Sequence, residues 1–143
     1  MRHYDLKAAE GAQYLRELDK GKYADAGDIY VDHEVVRDGF EVFLVSNKRV
    51  MYIAYHQVLG NWSVEWEFLH KDLSQELPPT VEKPQSDDDC WHLIVNPLEP
   101  KRKVLGLFGG VSGKRINMRT REAAQNLARK ICALQREQRE HAS

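Results

Sequence analysis

The chain has 143 residues and a mass of 16.6 kDa, which predicts one domain with a single core. Its apolar fraction of 42% and charged fraction of 30% fit a soluble globular protein, and no apolar stretch approaches the roughly 18 residues that a transmembrane helix needs. Met1 is followed by Arg2, His3, Tyr4 and Asp5 without an apolar core segment, so no signal peptide is expected. With only two cysteines there is no disulfide scaffold, so an intracellular, reducing location is expected.

The net charge of −1 conceals an asymmetry. Residues 1–100 carry a balance of −9 and residues 101–143 a balance of +8. This split predicts a basic surface from the C-terminal third, whose partner could be anionic lipid, an acidic protein face or nucleic acid. An equally good interpretation is that the two parts neutralise each other within the fold.

The first segment has helical periodicity. Asp5 is a suitable N-cap, and Gly21 stands where a left-handed C-terminal cap is expected. Apolar residues recur every three positions and predict one buried stripe: Leu6, Ala9, Ala12, Leu15 and Leu18. Residues 22–28 are predicted to be a connector.

Strand patterns follow from Ile29. Asp38-Gly39 is a strong hairpin signal between the first two strands. Seven strands are predicted, at residues 29–36, 40–46, 50–55, 63–68, 91–95, 103–108 and 114–119. In the fourth strand the alternation predicts that Val64, Trp66 and Phe68 face the core. Residues 74–90 contain three prolines and an acidic run, so they are predicted to be a loop without a regular element.

A final amphipathic helix is predicted after Thr120, a good N-cap. One face of this helix is apolar, through Ala124, Leu127, Ala128, Ile131 and Leu134. The remaining faces are mainly basic, with Arg121, Arg129, Lys130, Arg136 and Arg139. The helix is predicted to fray after Leu134, where the sequence becomes Gln-Arg-Glu-Gln-Arg-Glu.

Seven short strands followed by one helix exclude a parallel α/β fold, because crossover helices between the strands are missing. The predicted fold is mainly β (α+β) and pleckstrin-homology-like (PH-like). Seven antiparallel strands form two packed sheets capped by the C-terminal helix, with an extra N-terminal helix. The predicted division is an N-terminal helix and connector at residues 1–28, and a PH-like domain at residues 29–143.

Signals for catalysis are weak, and no enzyme activity and no cofactor are predicted. Gly113-Lys114 resembles the end of a phosphate-binding loop, but Phe108 replaces its first glycine and the segment leads into a strand. The six histidines and two cysteines show no metal-site spacing. Cys90 lies near His92, which gives only weak support to a nucleophile pair. The acidic run at residues 87–89 could bind a hard cation, but solvated charge is the more common interpretation.

Two basic clusters are the best candidates for a binding surface. They flank the predicted hairpin between the sixth and seventh strands, and Phe108 provides an apolar group at its tip. The candidate lipid- or partner-binding residues are Lys101, Arg102, Lys103, Lys114, Arg115 and Phe108. Cations around an apolar tip suit an anionic membrane, at about 1 kcal/mol for each Lys or Arg near the surface. Nucleic acid is disfavoured, because no outward aromatic platform is evident.

Several short motifs are distributed over nearly the whole chain, beginning with the opening Arg2-His3-Tyr4-Asp5. The others are Ser46-Asn47-Lys48-Arg49-Val50, Val64-Glu65-Trp66-Glu67-Phe68, Gly113-Lys114-Arg115-Ile116-Asn117 and Thr120-Arg121-Glu122-Ala123-Ala124. Together they resemble the C-terminal PH-like domain of the vacuolar-protein-sorting-thirteen family of bridge-like lipid transfer proteins.

The resemblance implies a non-catalytic targeting domain at the end of a long lipid-transport bridge. Such a domain would dock on an acceptor organelle membrane at contact sites, as a peripheral protein on the cytoplasmic side. The implied partners are membrane-resident proteins such as a scramblase, or an Arf-type small GTPase, and the fragment is expected to be monomeric.

The alternative is an anionic-lipid or phosphoinositide-binding module that acts through the basic surface. The first predicted hairpin, residues 36–41, holds one base and two acids, which argues against a conventional inositol-phosphate pocket. The roles of Lys48 and Arg49, as turn residues or as ligands, stay open. A partner that adds a strand to an exposed sheet edge is a further possible mode of binding.

Overall fold

Helices stand near both ends of the chain, and strands occupy the middle. A computed structural model describes residues 3–36, 39–87, 89–98 and 113–142. The chain divides into two units, Met1–Glu67 and Phe68–Ser143. The predicted division at residue 28 is a different one and stays a prediction.

The first unit begins with helices and continues as an antiparallel sheet. Helix α1 spans His3–Glu17, a 3-10 turn spans Leu18–Gly21, and the short helix α2 spans Lys22–Asp25. The strands are β1 (Tyr30–Val35), β2 (Glu41–Ser46), β3 (Arg49–His56) and β4 (Asn61–Leu69). They pair in the order β1-β2-β3-β4, so β1 and β4 are the edges of this sheet.

Helix α1 agrees only partly with its sequence pattern. Leu15 and Leu18 are buried as predicted, but Leu6 is 53% exposed, because a three-residue repeat drifts away from the 3.6-residue period. The prediction of Asp5 as the N-cap is wrong, since the helix already includes His3. Gly21 has a φ of 87°, which confirms the predicted left-handed residue.

The core of the first unit lies where the helices meet one face of the sheet. Its buried members are Leu15, Leu18, Tyr23, Val42, Leu44, Met51 and Ile53. In β2 and β3 they occupy alternate positions, which confirms the expected pleat. Every apolar residue of β2 is buried, as its almost wholly apolar sequence predicts.

The prediction that the even-numbered residues of β4 all face one side of the sheet is wrong. Val64 packs against the core cluster of the first unit, on the face that carries Val42 and Met51. Trp66 instead lies against Phe43, at 6.2 Å between ring centroids, and stacks on Tyr52 at 5.5 Å. Because these two rings belong to the other face of β2 and β3, the even-numbered residues of β4 are divided between the faces.

Gly11 is required by close packing between α1 and β1. A Cβ built at this buried glycine would stand 1.9 Å from Cε1 of the Tyr30 ring. Replacing an exposed helical glycine by alanine normally raises the free energy of unfolding by about 0.5–1 kcal/mol. Here the clash reverses the sign, and Gly11→Ala is expected to lower the free energy of unfolding by about 1–3 kcal/mol.

Urea denaturation of the chain measures this effect. Gln13→Ala, at an exposed position of the same helix, is the control and should change the free energy of unfolding by less than about 0.5 kcal/mol. A Gly11→Ala variant more stable than the original chain would contradict the close packing of Tyr30 on α1.

The second unit consists of a smaller sheet and a long helix. A 3-10 turn spans His70–Asp72, and the strands are β5 (Thr80–Glu82), β6 (Trp91–Val95) and β7 (Lys114–Met118). They form an antiparallel sheet in the order β5-β6-β7. Helix α3 spans Arg121–Ala142 and packs against all three strands.

The prediction of residues 74–90 as a loop without regular structure is wrong. Thr80–Glu82 forms β5, with Val81 opposite Leu93 of β6. These three residues lie between Pro79 and Pro84 and have no strand pattern of their own. Their strand conformation is stabilised by hydrogen bonding to the neighbouring strand β6. The predicted sixth strand, 103–108, lies outside the described residues.

Helix α3 confirms its N-cap and its apolar face. The Thr120 hydroxyl accepts a hydrogen bond from the Ala123 amide at 3.1 Å, and Ala124, Leu127 and Ile131 are fully buried. The predicted fraying after Leu134 is wrong, because the helix runs to Ala142. The Gln, Arg and Glu residues there are strong helix formers, and buried Gln135 donates to the Ser74 carbonyl at 3.3 Å.

The fold is therefore mainly β, as predicted. The described residues contain seven strands in antiparallel sheets of four and three, a helix near the N-terminus and a long C-terminal helix. Four strands, then three, then a helix is the PH-like order of elements.

Candidate functional site

The predicted basic surface is only partly within the described residues. Lys101, Arg102, Lys103 and Phe108 lie outside them. Lys114 opens β7 opposite Val95 and is partly exposed. These positions stay predictions as lipid- or partner-binding residues.

Arg115 is exposed but already has an anionic partner. Its guanidinium donates to the Glu82 carboxylate of β5 at 2.6 Å. That hydrogen bond lowers the pKa of Glu82 and raises the pKa of Arg115. The pair reduces the charge that Arg115 offers to an anionic ligand.

The first unit contains an open groove of about 730 Å³ beside β4. One wall is the end of α1 with the 3-10 turn and Tyr23, and the other is formed by residues 61–67. Residues 61–67 include side chains from both faces of the sheet, so they line a groove that runs along an edge. β4 is such an edge in the four-stranded sheet.

The groove combines aromatic and apolar groups with acidic ones. Trp62, Val64 and Trp66 supply apolar surface, and all three are partly buried. The lining carboxylates are Glu17, Asp19, Glu65 and Glu67, and Lys20 is the cation in the same lining. This composition favours an occupant with both apolar and basic groups.

An unusual backbone turn forms one end of the groove. Asp19 and Lys20 have φ values of 48° and 57°, in the left-handed region that non-glycine residues rarely adopt. Gly21 continues the turn at 87°. Three left-handed residues in a row end α1 and reverse the chain so that α2 brings Tyr23 to the groove.

Arg49 fastens the base of this region. Its Nε and Nη2 atoms donate to the two oxygens of Asp28 at 2.8 and 3.0 Å, and its Nη1 donates to Glu67 at 2.8 Å. Its guanidinium also lies 5.0 Å from the centroid of the Tyr23 ring. Burial by itself would lower the pKa of Arg49, but the hydrogen bonds to Asp28 and Glu67 raise it.

Glu67 joins this anchor to the groove. It accepts a hydrogen bond from the Tyr23 hydroxyl as well as from Arg49. Burial and the carboxylate of Glu67 raise the pKa of Tyr23, so the phenol stays protonated as the donor. The motif residue Arg49 is thus held by carboxylates of its own chain, which favours a structural role over ligand binding.

A second ion cluster ties α1 to β1. Lys7 pairs with Asp32 at 2.8 Å and with Glu34 at 2.9 Å. Beside them His33 is buried, and burial lowers its pKa below the ordinary value. Its Nδ1 lies 2.9 Å from the Tyr30 hydroxyl. These groups support each other within the first unit.

In the second unit, the structure brings together residues that the sequence analysis treated separately. One potential ligand atom from each of Asp89, Cys90 and His92 lies within 4.8 Å of the other two. The acidic run and the Cys-His proximity were each visible in the sequence. Their convergence depends on the turn into β6, which has no clear spacing signature.

The sequence analysis does not predict the groove beside β4. The signal available is the run of residues 61–67, where Trp62, Val64 and Trp66 alternate with acidic or small polar residues. This pattern was interpreted only as core against solvent. That the strand is an edge strand is a property of the sheet order, which one sequence does not specify.

Two further findings bear on membranes and catalysis. Every helix in the described ranges is too short or too polar to span a bilayer. Gly113 leads into the strand β7, as predicted, whereas a phosphate-binding loop leads into a helix.

Comparison with known proteins identifies the family of the chain. Residues 1–84 match the family model described as "Intermembrane lipid transfer protein VPS13, C-terminal". No curated protein matches the chain. The matched segment is more than half of the 143 residues and includes both helices of the first unit and all four of its strands. The chain therefore belongs to the family of intermembrane lipid transfer proteins VPS13, as part of their C-terminal region.

Proposed function

We propose that this chain is a non-catalytic targeting domain that docks a bridge-like lipid transfer protein on an acceptor organelle membrane through a protein partner. Membership of the VPS13 C-terminal family supports a role in lipid transfer between membranes. On this proposal the domain acts as a peripheral protein on the cytoplasmic side, at contact sites between organelles.

The observation that carries the proposal is the groove along β4. An edge strand offers backbone N–H and C=O groups that a partner can pair with by adding a strand. The tryptophans beside that edge supply the apolar contact area that dominates protein interfaces. The partner segment expected here is extended, with apolar side chains and at least one Lys or Arg.

The charges of the first unit favour a protein over an anionic lipid headgroup in this groove. Four carboxylates line it against Lys20, so a phosphate would meet repulsion. The nearby cation Arg49 is paired with Asp28 and Glu67. An Arf-type small GTPase and a scramblase are candidate partners through the family resemblance.

The second candidate is binding to anionic lipid or phosphoinositide through the basic C-terminal third. Helix α3 favours it, because four of its arginines are exposed: Arg121, Arg129, Arg136 and Arg139. With Lys114 and Arg115 of β7 they would form the lipid-binding surface. Such binding should weaken steeply with salt, since exposed charges are screened beyond about 8–10 Å at physiological ionic strength.

Reversal of one exposed rim charge tests the groove. Glu65 is partly exposed, and Glu65→Arg is expected to weaken binding of the chain to isolated organelle membranes about fivefold, because a rim charge pair contributes up to about 1 kcal/mol. Glu76→Arg, at an exposed position of the second unit, is the matched control and should bind as the original chain does.

The same assay separates the two candidates. Unchanged binding in Glu65→Arg, together with its loss in a Lys114→Glu, Arg115→Glu double variant, would reject the groove in favour of the basic surface. Circular dichroism of each variant verifies that the chain is folded before binding is compared.

A further inference from the structure

Three side chains with metal-binding atoms meet where the chain enters β6. Asp89 and Cys90 immediately precede the strand, and His92 is its second residue. A carboxylate oxygen, the thiol sulfur and a ring nitrogen all lie within 4.8 Å of one another, and all three residues are partly buried. A metal ion needs its ligands within a few ångströms of each other, so little movement would bring them to one centre.

The carboxylate of Asp89 is held in place by the backbone. Its Oδ1 accepts a hydrogen bond from the Cys90 amide at 2.8 Å, and its Oδ2 accepts one from the Gln85 amide at 3.3 Å. These two backbone hydrogen bonds fix the orientation of the carboxylate. An anionic ligand is thus oriented before any cation arrives.

The two ring nitrogens of His92 have different surroundings. Its Nε2 lies 3.1 Å from Asp89 Oδ1, whereas its Nδ1 is buried and has no hydrogen-bond partner among the described residues. Since Nε2 is the ring nitrogen beside Asp89, a metal ion at the cluster would be bound by His92 through Nε2, and the ring proton would then stand on Nδ1.

The surrounding charges are compatible with a cation. Glu82 stands opposite His92 in the β5–β6 register and brings a second carboxylate to the same part of the sheet. Arg115 is the opposing cation, but it is engaged by Glu82 at 2.6 Å. The negative charge of Asp89 therefore remains for a positive ligand.

We propose that Asp89, Cys90 and His92 form a binding site for a divalent transition-metal ion of the zinc type. A thiolate with an imidazole and a carboxylate matches the ligand preference of Zn²⁺, whereas Mg²⁺ and Ca²⁺ prefer oxygen ligands alone. Three protein ligands leave the fourth tetrahedral position for water or for a ligand from a partner. The bound ion would tie residues 89 and 90 to β6.

Cobalt provides a direct readout of the thiolate. Metal-free, reduced chain is titrated with Co²⁺ and followed by absorption, because a Co²⁺–thiolate bond produces a charge-transfer band in the near ultraviolet. The expected result is a band that saturates at one Co²⁺ per chain and is abolished when Zn²⁺ displaces the cobalt. An excess of Mg²⁺ should leave the band unchanged.

The second cysteine makes the test specific. Cys90→Ser should lose the band. Its affinity for Zn²⁺ should fall by at least the roughly 10–100-fold that is typical when a residue hydrogen-bonded to a metal ligand is removed. Cys132→Ser, on α3, is the matched control and should retain both. If Cys90→Ser does not fold, His92→Gln is used and should weaken Zn²⁺ binding to a similar extent.

Three outcomes would overturn the proposal. They are the absence of a saturable cobalt band in the original chain, a band that persists in Cys90→Ser, and a band that is lost in Cys132→Ser. Each would show that the cluster does not bind the metal through Cys90.

Discussion

Arg49→Met is expected to lower the free energy of unfolding by about 3–5 kcal/mol, because it leaves a buried carboxylate without its cation. The side chain of Asp28 is fully buried and receives two hydrogen bonds from Arg49. After the substitution, the Ser46 hydroxyl at 2.6 Å is a remaining donor and carries no charge. Methionine keeps most of the apolar stem of arginine, so the loss reports the charge and the hydrogen bonds.

Urea denaturation at neutral pH measures the effect, with Lys48→Met as the matched control. Lys48 is the neighbouring cation in the same turn, and its ammonium donates to the Ala26 carbonyl at an exposed site. Its loss should cost at most about 1 kcal/mol. Asp28→Asn in the Arg49→Met background should recover part of the stability, because a neutral amide is less costly to bury than a carboxylate.

An equally small effect of both substitutions would contradict this account. It would mean that Arg49 does not compensate the charge of Asp28. Arg49 would then again be a candidate ligand for an anionic headgroup, and the argument for a protein partner would lose one of its supports.

Leu127→Ala is expected to lower the free energy of unfolding by about 2–5 kcal/mol, because it removes three carbon atoms from the buried face of α3. Leu127 is fully buried in the helix that packs against β5, β6 and β7. Leu77→Ala makes the same chemical change in the same unit at a side chain that is 60% exposed, and should change stability by less than about 0.5 kcal/mol.

Thermal or urea unfolding followed by circular dichroism compares the two leucine variants. Equal losses in both would show that α3 is not held by its apolar face. The three-stranded sheet of the second unit would then need another source of stability.

The elements with a strong local pattern could be predicted from the sequence. β2 is apolar at successive positions and was found close to its predicted bounds. α3 repeats its apolar residues at helical spacing and begins where it was predicted to begin. The Thr120 cap and the left-handed Gly21 follow from local chemistry as well. In each case the residues that specify the element are neighbours in sequence.

The rest depends on residues distant in sequence. β5 exists because Thr80–Glu82 pairs with β6, and nothing within its own three residues demands a strand. Trp66 faces away from the core cluster that contacts Val64, since its ring stacks on Tyr52 of the next strand. The groove and the cluster around Cys90 are likewise products of strand order and turn geometry.

Docking of the chain is expected to depend on membrane proteins, and one binding measurement tests this dependence. The chain is incubated with isolated organelle membranes, with the same membranes after protease treatment, and with vesicles made from their extracted lipids. The expected result is binding to the untreated membranes and its loss in the other two samples. Equal binding to the extracted-lipid vesicles, or no binding to any sample, would contradict it.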